Sequence, residues 1–282
     1  MNRNMNLKLT QIEEIVRRAL AEDVGSGDIT TSLTVPSGSV ARARIIAKEE
    51  GVIAGLQVAE IVFAELGEVT FTPKVAEGAR VKSGDVVAEI SGPTAVILTG
   101  ERVALNFLQR MSGIAAKTAR MVELVKHAGA KVLDTRKTTP GLRVLEKYAV
   151  RIGGGENHRF GLYDAVLIKD NHIRAAGGVR QAVLAAKSGA PQGMKIEVEA
   201  DTLDQVKEAL EAGAEMILLD NMTPDVLRQA VALCRGRALT EASGSVTEDN
   251  IARIAETGVD FISVGALTHS VEALDLSLEI VD

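Results

Sequence analysis

The fold is decided by a stretch in which four short apolar runs recur: KIEVE at 195–199, MILLD at 216–220, RALTE at 237–241 and FISVG at 261–265. The last residues of these runs lie 21, 21 and 24 positions apart. Helical patterns fill the three gaps, at Leu203–Ala212, Pro224–Leu233 and Thr247–Glu256. Strands that alternate with helices are typical of a parallel sheet, and the short, regular period favours a β/α barrel over an open sheet.

Two earlier runs extend the series to six strands: KVLD at 131–134 and AVLIK at 165–169. Residues 147–152 are a candidate seventh strand, so the prediction is an incomplete barrel of six or seven strands. The first strand is not followed by GxGxxG, and the chain contains no P-loop motif. Both observations argue against a dinucleotide-binding or P-loop fold.

The N-terminal third has a different pattern, which predicts a mixed α+β unit. Apolar residues repeat with helical spacing over Thr10–Glu22 and over Leu56–Leu66. Residues 40–54 have the pattern of a strand with some alternation, residues 68–91 that of short strands broken by turns, and residues 94–127 are mostly helical in pattern. The class of the whole chain is therefore α/β, with an α+β unit in front of the barrel.

These patterns divide the chain into an N-terminal domain of residues 1–112 and a barrel domain of residues 113–270. The tail of about 271–282 is a candidate to pack with the first domain. Residues 68–91 also resemble the turn-and-strand pattern of biotinyl and lipoyl carrier modules. The acceptor-lysine hairpin of those carriers is absent, so we interpret this segment as structural.

Composition excludes several classes of protein. The formal net charge of −6 argues against a nucleic-acid-binding protein, which is usually basic. A single cysteine, Cys234, rules out an intrachain disulfide and a CxxC zinc site. The N-terminus has no signal-like apolar segment, and no apolar run reaches the length of a membrane span. We expect a soluble cytoplasmic enzyme with neither nucleic acid nor membrane as a partner.

The active site of a β/α barrel lies at the C-terminal ends of the strands. Those ends and the loops beside them carry six basic residues here: Arg136, Lys137, His158, Arg159, Lys169 and His172. Arginine grips carboxylates and phosphates through paired hydrogen bonds, while lysine acts as a point charge. Six such residues in an acidic protein predict a pocket for small substrates with more than one negative group. A solvated surface charge is the alternative for any one of them alone.

Carboxylates and glycine loops complete these strand ends. Glu199 and Asp220 end neighbouring strands, where they would bind hydroxyl groups, or a diphosphate through Mg²⁺. The alternative is a structural pair that balances the nearby lysines. Loops at Ser243–Gly244 and Gly265–Ala266 follow the last two strands, where barrels often bind phosphate through backbone N–H groups.

Several of these segments resemble one family, quinolinate phosphoribosyltransferase, in family order and over nearly the whole chain. The matching segments are EDVGSGDIT (22–30), ERVALNFLQRMSG (101–113), DTRKTTPGLR (134–143), GGGENHR (153–159), IKDNH (168–172), EVE (197–199), LDN (219–221), EASG (241–244) and SVGALT (263–268). The resemblance implies transfer of phosphoribose from phosphoribosyl pyrophosphate to quinolinate, with Mg²⁺. The products would be nicotinate mononucleotide, pyrophosphate and CO₂, a step of NAD biosynthesis. It also implies an N-terminal open sandwich and a homodimer in which Arg102 reaches the neighbouring site.

The resemblance implies a role for each matching residue. The expected catalytic residues are Lys137, Lys169, Glu199 and Asp220, of which Glu199 and Asp220 are also the expected Mg²⁺ ligands. The expected substrate-binding residues are Arg102, Arg136, Lys137, His158, Arg159, Lys169, Glu199, Asp220, Ser243, Gly244, Gly265 and Ala266. The arginines and His158 would hold the two carboxylates of quinolinate. One departure is Ser245, where the family often has glycine, and we expect an altered loop there and a retained site.

Three alternatives stay open at this point. A paralogue of the family with another substrate would keep the fold, although it need not retain a complete dicarboxylate clamp. A Schiff-base aldolase on a β/α barrel would use Lys169 as its nucleophile, yet it would not need so many flanking arginines. A non-catalytic carrier built on residues 68–91 would need the acceptor lysine that is absent here.

Overall fold

The structure, a computed structural model, describes residues 9–281, which form two compact units. The first unit contains the described residues up to Ala119 together with Thr138–Gly154 and the residues from Ser270. The second unit contains Arg120–Lys137 and Gly155–His269. The sequence predicted divisions after residue 112 and at about residue 270, so the two descriptions differ in where they assign residues 113–119, residues 138–154 and Ser270.

The elements up to the end of the long helix are α1 (Leu9–Val24), α2 (Ile29–Thr34), β1 (Val40–Ala47), β2 (Gly51–Val52), α3 (Leu56–Leu66), β3 (Thr70–Pro73), β4 (Arg80–Val81), β5 (Val86–Pro93) and α4 (Thr94–Val125). The later elements are β6 (Lys131–Leu133), α5 (Arg143–Ile152), β7 (Val166–Ile168), α6 (Asp170–Ala176), α7 (Val179–Gly189), β8 (Ile196–Ala200), α8 (Leu203–Ala212), β9 (Met216–Asp220), α9 (Pro224–Cys234), β10 (Leu239–Ser243), α10 (Ile251–Ala255), β11 (Phe261–Ser263), α11 (Ala266–His269) and β12 (Leu276–Val281).

The first unit is built on an antiparallel sheet with the strand order β12-β1-β5-β3. In β1, Ala43, Ile45 and Ala47 are buried, and the residues between them are more exposed. This alternation shows a sheet with one buried face, which agrees with the predicted α+β unit. The last strand, β12, pairs antiparallel with β1, for example at Ile45 and Leu278.

The second unit is built on a sheet of six parallel strands in the order β6-β11-β10-β9-β8-β7. Helices α7, α8, α9 and α10 connect successive strands. All five residues of β8 are buried, as expected for a strand covered on both faces. The edge strands β6 and β7 do not pair with each other within residues 9–281, so the predicted incomplete β/α barrel of six strands is confirmed.

The candidate seventh strand at residues 147–152 was wrong, because these residues lie in helix α5. Leu145 and Ala149 are both buried and lie four residues apart, which is helical spacing. A six-residue apolar window is too short to separate a helix from a strand by periodicity.

Among residues 9–281, no helix is both long enough and apolar enough to cross a membrane.

Candidate active site

Four carboxylates lie near the ends of the central barrel strands, at two depths. Side chains alternate along a strand, so Glu197 and Glu199 of β8 lie on the same face, with Glu197 roughly 7 Å further from the strand end. Asp220 ends β9, and Glu241 is the central residue of β10. We call Glu199 and Asp220 the outer carboxylates, and Glu197 and Glu241 the inner carboxylates.

The outer carboxylates lie together and beside a lysine. Nζ of Lys169, the residue after β7, lies 2.9 Å from Oε2 of Glu199. Carboxylate oxygens of Glu199, Asp201 and Asp220 lie within 4.8 Å of one another. Burial, with the negative charge of Glu199, raises the pKa of Asp220. Three oxygen ligands at this spacing suit a hard divalent cation such as Mg²⁺.

Two arginines from different loops of the second unit lie close to each other. Burial, followed by the positive charge of Arg136, lowers the pKa of Arg159. The guanidinium of Arg159 also donates a hydrogen bond to the carbonyl oxygen of Ala165 at 3.3 Å. Neighbouring guanidinium groups repel each other, and a bound anion would relieve that repulsion. Arg136 and Arg159 are therefore candidates for the core of an anion site.

The segment 155–159, which carries His158 and Arg159, is fixed along the edge of the sheet at β6. The N–H of Glu156 donates to the carbonyl oxygen of Val132 at 2.8 Å. Asp134, fully buried after β6, accepts hydrogen bonds from the N–H of His158 at 2.9 Å and from Nδ2 of Asn157 at 2.6 Å. Asp134 thus holds the segment from which the Arg159 side chain extends.

The inner carboxylates surround the imidazole of His158. Nε2 of His158 lies 3.0 Å from Oε2 of Glu197 and 3.5 Å from Oε2 of Glu241. Nδ1 accepts a hydrogen bond from the N–H of Arg159 at 2.7 Å. Both ring nitrogens are therefore engaged within the protein, and the expected role of His158 as a direct ligand of a substrate carboxylate stays a prediction.

Both inner carboxylates are perturbed. Burial raises the pKa of Glu197 to about 7. Burial, with the charge of Glu197, raises the pKa of Glu241 to about 8. Two buried, neighbouring glutamates cannot both ionise without a large electrostatic cost. The pair therefore binds a proton more tightly than exposed glutamates do.

The first glycine loop lies beside the outer carboxylates. Ser243 is the register partner of Asp220, and its carbonyl oxygen accepts the N–H of Asn221 at 2.9 Å. Gly244 has a φ of +98°, and a Cβ there would overlap the side chain of Asn221 and lie 3.0 Å from its backbone nitrogen. Ser245 also has a positive φ, of 47°. The loop thus follows a path that favours glycine and exposes its backbone to a close ligand.

The second glycine loop lies against Lys137. A Cβ at Gly265 would meet the aliphatic stem of Lys137 at 3.0 Å. Oγ1 of Thr268 in α11 donates to the carbonyl oxygen of Lys137 at 2.8 Å. Ala266 begins α11. The structure therefore brings Lys137 against the loop that carries Gly265, and the binding roles expected of Lys137, Gly265 and Ala266 stay predictions.

Two predicted basic residues are placed differently. Arg102 is an exposed residue of α4 within the first unit. His172 is exposed, and its Nδ1 accepts the backbone N–H of Lys169 at 2.9 Å, so it stabilises the start of α6. The other predicted residues lie on the strand ends and adjoining loops of the second unit.

Sequence reasoning missed Asp134, Asp201, Glu197 and Glu241 as members of the site. A signal was available for Glu197, because it lies two residues before Glu199 in a strand and so shares its face. Glu241 lies two residues before Ser243 in the same relation. Asp134 was recognised only as a strand-end residue, although the structure makes it the anchor of the His158 segment.

The barrel and the cationic strand ends define an enzyme of the β/α-barrel class with a site for small anions. Two family models cover most of the chain: the N-terminal domain of quinolinate phosphoribosyl transferase at residues 28–112 and its C-terminal domain at residues 114–279. The chain belongs to the quinolinate phosphoribosyltransferase family.

Relatives across the whole length agree with this family. A probable nicotinate-nucleotide pyrophosphorylase (carboxylating) of Bacillus subtilis is 45% identical over 96% of this chain and 93% of its own length. A nicotinate-nucleotide pyrophosphorylase (carboxylating) of Mycobacterium leprae is 46% identical over 95% of this chain and 96% of its own. The solved structure of the nicotinate-nucleotide pyrophosphorylase of Francisella tularensis superposes with a TM-score of 0.95 at 40% identity, covering 100% of both chains. Family membership sets aside the aldolase and carrier interpretations.

Proposed function

We propose that this chain transfers phosphoribose from phosphoribosyl pyrophosphate to quinolinate and decarboxylates the product. Nicotinate mononucleotide, pyrophosphate and CO₂ would result, which makes the enzyme a pentosyltransferase of NAD biosynthesis. The observation that carries the proposal is the cluster of charges at the strand ends: the charge of Arg136 acts on Arg159, those of Arg159 and Lys169 act on Glu197, and Lys169 pairs with the outer carboxylate Glu199. Such a site fits a planar dianion beside a polyanionic sugar donor.

Each part of the site has a physical role in this proposal. Arg136 and Arg159 would hold the carboxylates of quinolinate through paired hydrogen bonds. Lys137 and Lys169 would stabilise the charge that develops on the leaving pyrophosphate. The attacking pyridine nitrogen carries no proton, so the transfer step needs no general base. Catalysis would rest on positioning and on electrostatic stabilisation of an oxocarbenium-like transition state.

The outer carboxylates fit the Mg²⁺ that the family implies. Glu199 and Asp220, with Asp201 beside them, supply the hard oxygen ligands that this cation prefers. The ion would neutralise part of the charge of the pyrophosphate. Lys169, which pairs with Glu199 at 2.9 Å, would turn towards the substrate when that carboxylate binds the ion or the ribose hydroxyls.

The glycine loops would bind the 5′-phosphate of the donor. Ser243–Gly244 and Gly265–Ala266 follow adjacent parallel strands, β10 and β11, so their backbone N–H groups lie at the same edge of the sheet. Barrel enzymes commonly bind phosphate at this position.

Arg102 enters the proposal as a residue contributed by a partner copy in a homodimer. It is exposed on α4 and available to another chain. Mixing an R102A chain with a chain inactivated at Lys169 tests this role, since hybrid dimers would regain one complete site. A cytoplasmic location also stays a prediction.

The experiment that tests the function is product formation from quinolinate, phosphoribosyl pyrophosphate and Mg²⁺, with nicotinate as a parallel substrate. We expect nicotinate mononucleotide and CO₂ from quinolinate and no product from nicotinate, because a clamp built for two carboxylates discriminates against one. A folded protein that turns over neither substrate would overturn the proposal and favour a paralogue with another acceptor. The variant R136A should lose quinolinate turnover, and retained turnover would contradict the site assignment.

A further inference from the structure

The inner carboxylates have no assigned part in the reaction, although they lie directly below the anion site. Glu241 is fully buried, and neither of its oxygens accepts a hydrogen bond from any residue within 9–281. Glu197 is 6% exposed and has one unbonded oxygen within the same residues. A buried ionised carboxylate without donors costs several kcal/mol, on the order of 3 or more. This arrangement calls for a chemical explanation.

The imidazole of His158 fixes where one proton lies. Its Nδ1 accepts the N–H of Arg159 and so carries no hydrogen itself. A histidine ring must then carry its proton on Nε2, which donates to Glu197 at 3.0 Å. Glu197 is therefore the acceptor in this contact. The same tautomer argues against a metal ion among the three side chains, because a metal would have to replace the proton on Nε2.

Glu241 has no such donor of its own. Its Oε2 lies 3.5 Å from Nε2 of His158, whose proton is directed to Glu197. The titratable groups around Glu241 are Glu197 from β8 and His158 from segment 155–159. Strand β9 faces it with the uncharged Leu218, and β11 contributes only the hydroxyl of Ser263. No positive side chain of the described residues forms an ion pair with Glu241, apart from the imidazole contact.

We propose that Glu241 is a positioning residue that acts in its protonated form, donating a hydrogen bond to Glu197 and so holding His158 and, through it, Arg159. The chain of contacts would run from Glu241 to Glu197, from Glu197 to Nε2 of His158, and from Nδ1 to the backbone of Arg159. The raised pKa of Glu241, about 8, agrees with a proton held at neutral pH.

The proton also limits the negative charge below the substrate, and this consequence rests on the proposed function. With Glu241 neutral, Glu197 is the inner carboxylate whose charge acts on Arg159, the partner of Arg136 in the guanidinium pair. Ionisation of Glu241 would add a second charge and weaken the attraction of that pair for a dianion. The KM for quinolinate should therefore rise as the pH passes about 8, by roughly tenfold for a like-charge interaction of about 1.4 kcal/mol.

The test compares E241Q, which keeps a neutral hydrogen-bond donor, with E241L, which keeps only the volume. We expect E241L to raise the KM for quinolinate about tenfold with a smaller change in kcat, as for loss of one hydrogen bond to a charged group. E241Q should restore the KM at pH 7 and should not show the rise above pH 8. Equal damage by E241Q and E241L, or an unchanged pH profile in E241Q, would overturn the proposal.

Failure of the proposed function is a separate outcome, since the unsubstituted protein would then show no quinolinate turnover at any pH. A spectroscopic measurement covers the case in which E241L does not fold. Infrared spectra of the folded, unsubstituted protein at pH 7 should show the carbonyl band of a protonated carboxyl, and E241Q should lack it. E146Q is the matched control: Glu146 is equally buried but ion-paired with Arg110 at 2.7 Å, so its loss should leave the band. Persistence of the band in E241Q would contradict the proposal.

Discussion

The outer and inner carboxylates differ in their partners more than in their positions. Glu199 has an ammonium group at 2.9 Å, and Asp220 lies beside it at the strand end. Glu241, about one strand pleat deeper, has only the Ser263 hydroxyl and the His158 ring, at 3.5 Å, beside it as donors, and neither of its oxygens accepts a well-formed hydrogen bond from the described residues. The same residue types would therefore perform different tasks: the outer pair lies beside a cation and is placed to bind cations and hydroxyls, whereas the inner pair would hold a proton.

The difference follows from depth alone, because strand alternation places both pairs on one face of the sheet. At the strand end, water and substrate can satisfy a carboxylate. Two residues further in, only protein groups are available. Where these do not stabilise the ionised carboxylate, its pKa rises.

The largest effect should come from removing Lys169, which pairs with the outer carboxylate Glu199. K169M should lower kcat/KM for quinolinate about 10²–10³-fold, because the charge on the leaving pyrophosphate loses a cation. Steady-state kinetics with both substrates measures this loss. K207M is the matched control, since Lys207 forms a similar 2.9 Å pair with Asp204 on the exposed helix α8. Comparable losses in the two variants would refute the assignment of Lys169.

A second prediction concerns a buried carboxylate that does have its donors. D134A should lower the free energy of unfolding by about 3 kcal/mol, because the N–H of His158 and the amide of Asn157 would lose a charged acceptor. Denaturant unfolding measures this change. E241Q, at the same degree of burial, should cost much less, because glutamine keeps the volume and still offers an acceptor to the Ser263 hydroxyl. An equal loss of stability in both variants would contradict the claim that Asp134 is held by its hydrogen-bond donors and Glu241 is not.

The sequence predicted the barrel and the outer layer well because both depend on local patterns. Apolar runs with regular spacing predicted all six strands, and each run ended within two residues of the strand end in the structure. Lys169, Glu199 and Asp220 were found in this way. Helix α5 was missed because its window was short, and a helix and a buried strand have similar composition over six residues.

The inner layer could not be predicted in the same way. The contact of His158 with Glu197 joins residues 39 positions apart, and no periodicity indicates it. The burial of Glu241 depends on the neighbouring strands and on segment 155–159, which only the fold brings together. Alternation along β8 and β10 could have placed both glutamates on the site face, but their missing donors are a property of the packed structure.

A third prediction uses the pKa of Glu241 to connect the inner layer to stability. Its folded-state pKa, about 8, lies above the ordinary value of 4.5, so the folded protein binds this proton more tightly than the unfolded chain. Stability is then lost as the pH rises from about 4.5 to about 8 and is level above that window. The rise of this pKa from 4.5 to about 8 corresponds to a fall of roughly 5 kcal/mol at most from this group, and E241Q should reduce the slope. Urea unfolding at several pH values measures it, and parallel slopes for E241Q and the unsubstituted protein would contradict the prediction.

The smallest effect should come from the backbone of the loops that follow β9 and β10, next to the outer carboxylates. Within residues 9–281, the non-glycine residues with positive φ are Asn221 and Ser245, both in loops that follow strands of the site. A positive φ strains a serine, whereas glycine adopts it without strain. S245G should therefore raise the free energy of unfolding by about 0.5 kcal/mol. N221G is the control, since asparagine tolerates this region of φ and its Nδ2 bonds Asp220 at 2.6 Å. Thermal unfolding should therefore show a gain for S245G and none for N221G. A gain for both would place the strain in the outer loops as a whole, and a gain for neither would show that the Ser245 loop relaxes without cost.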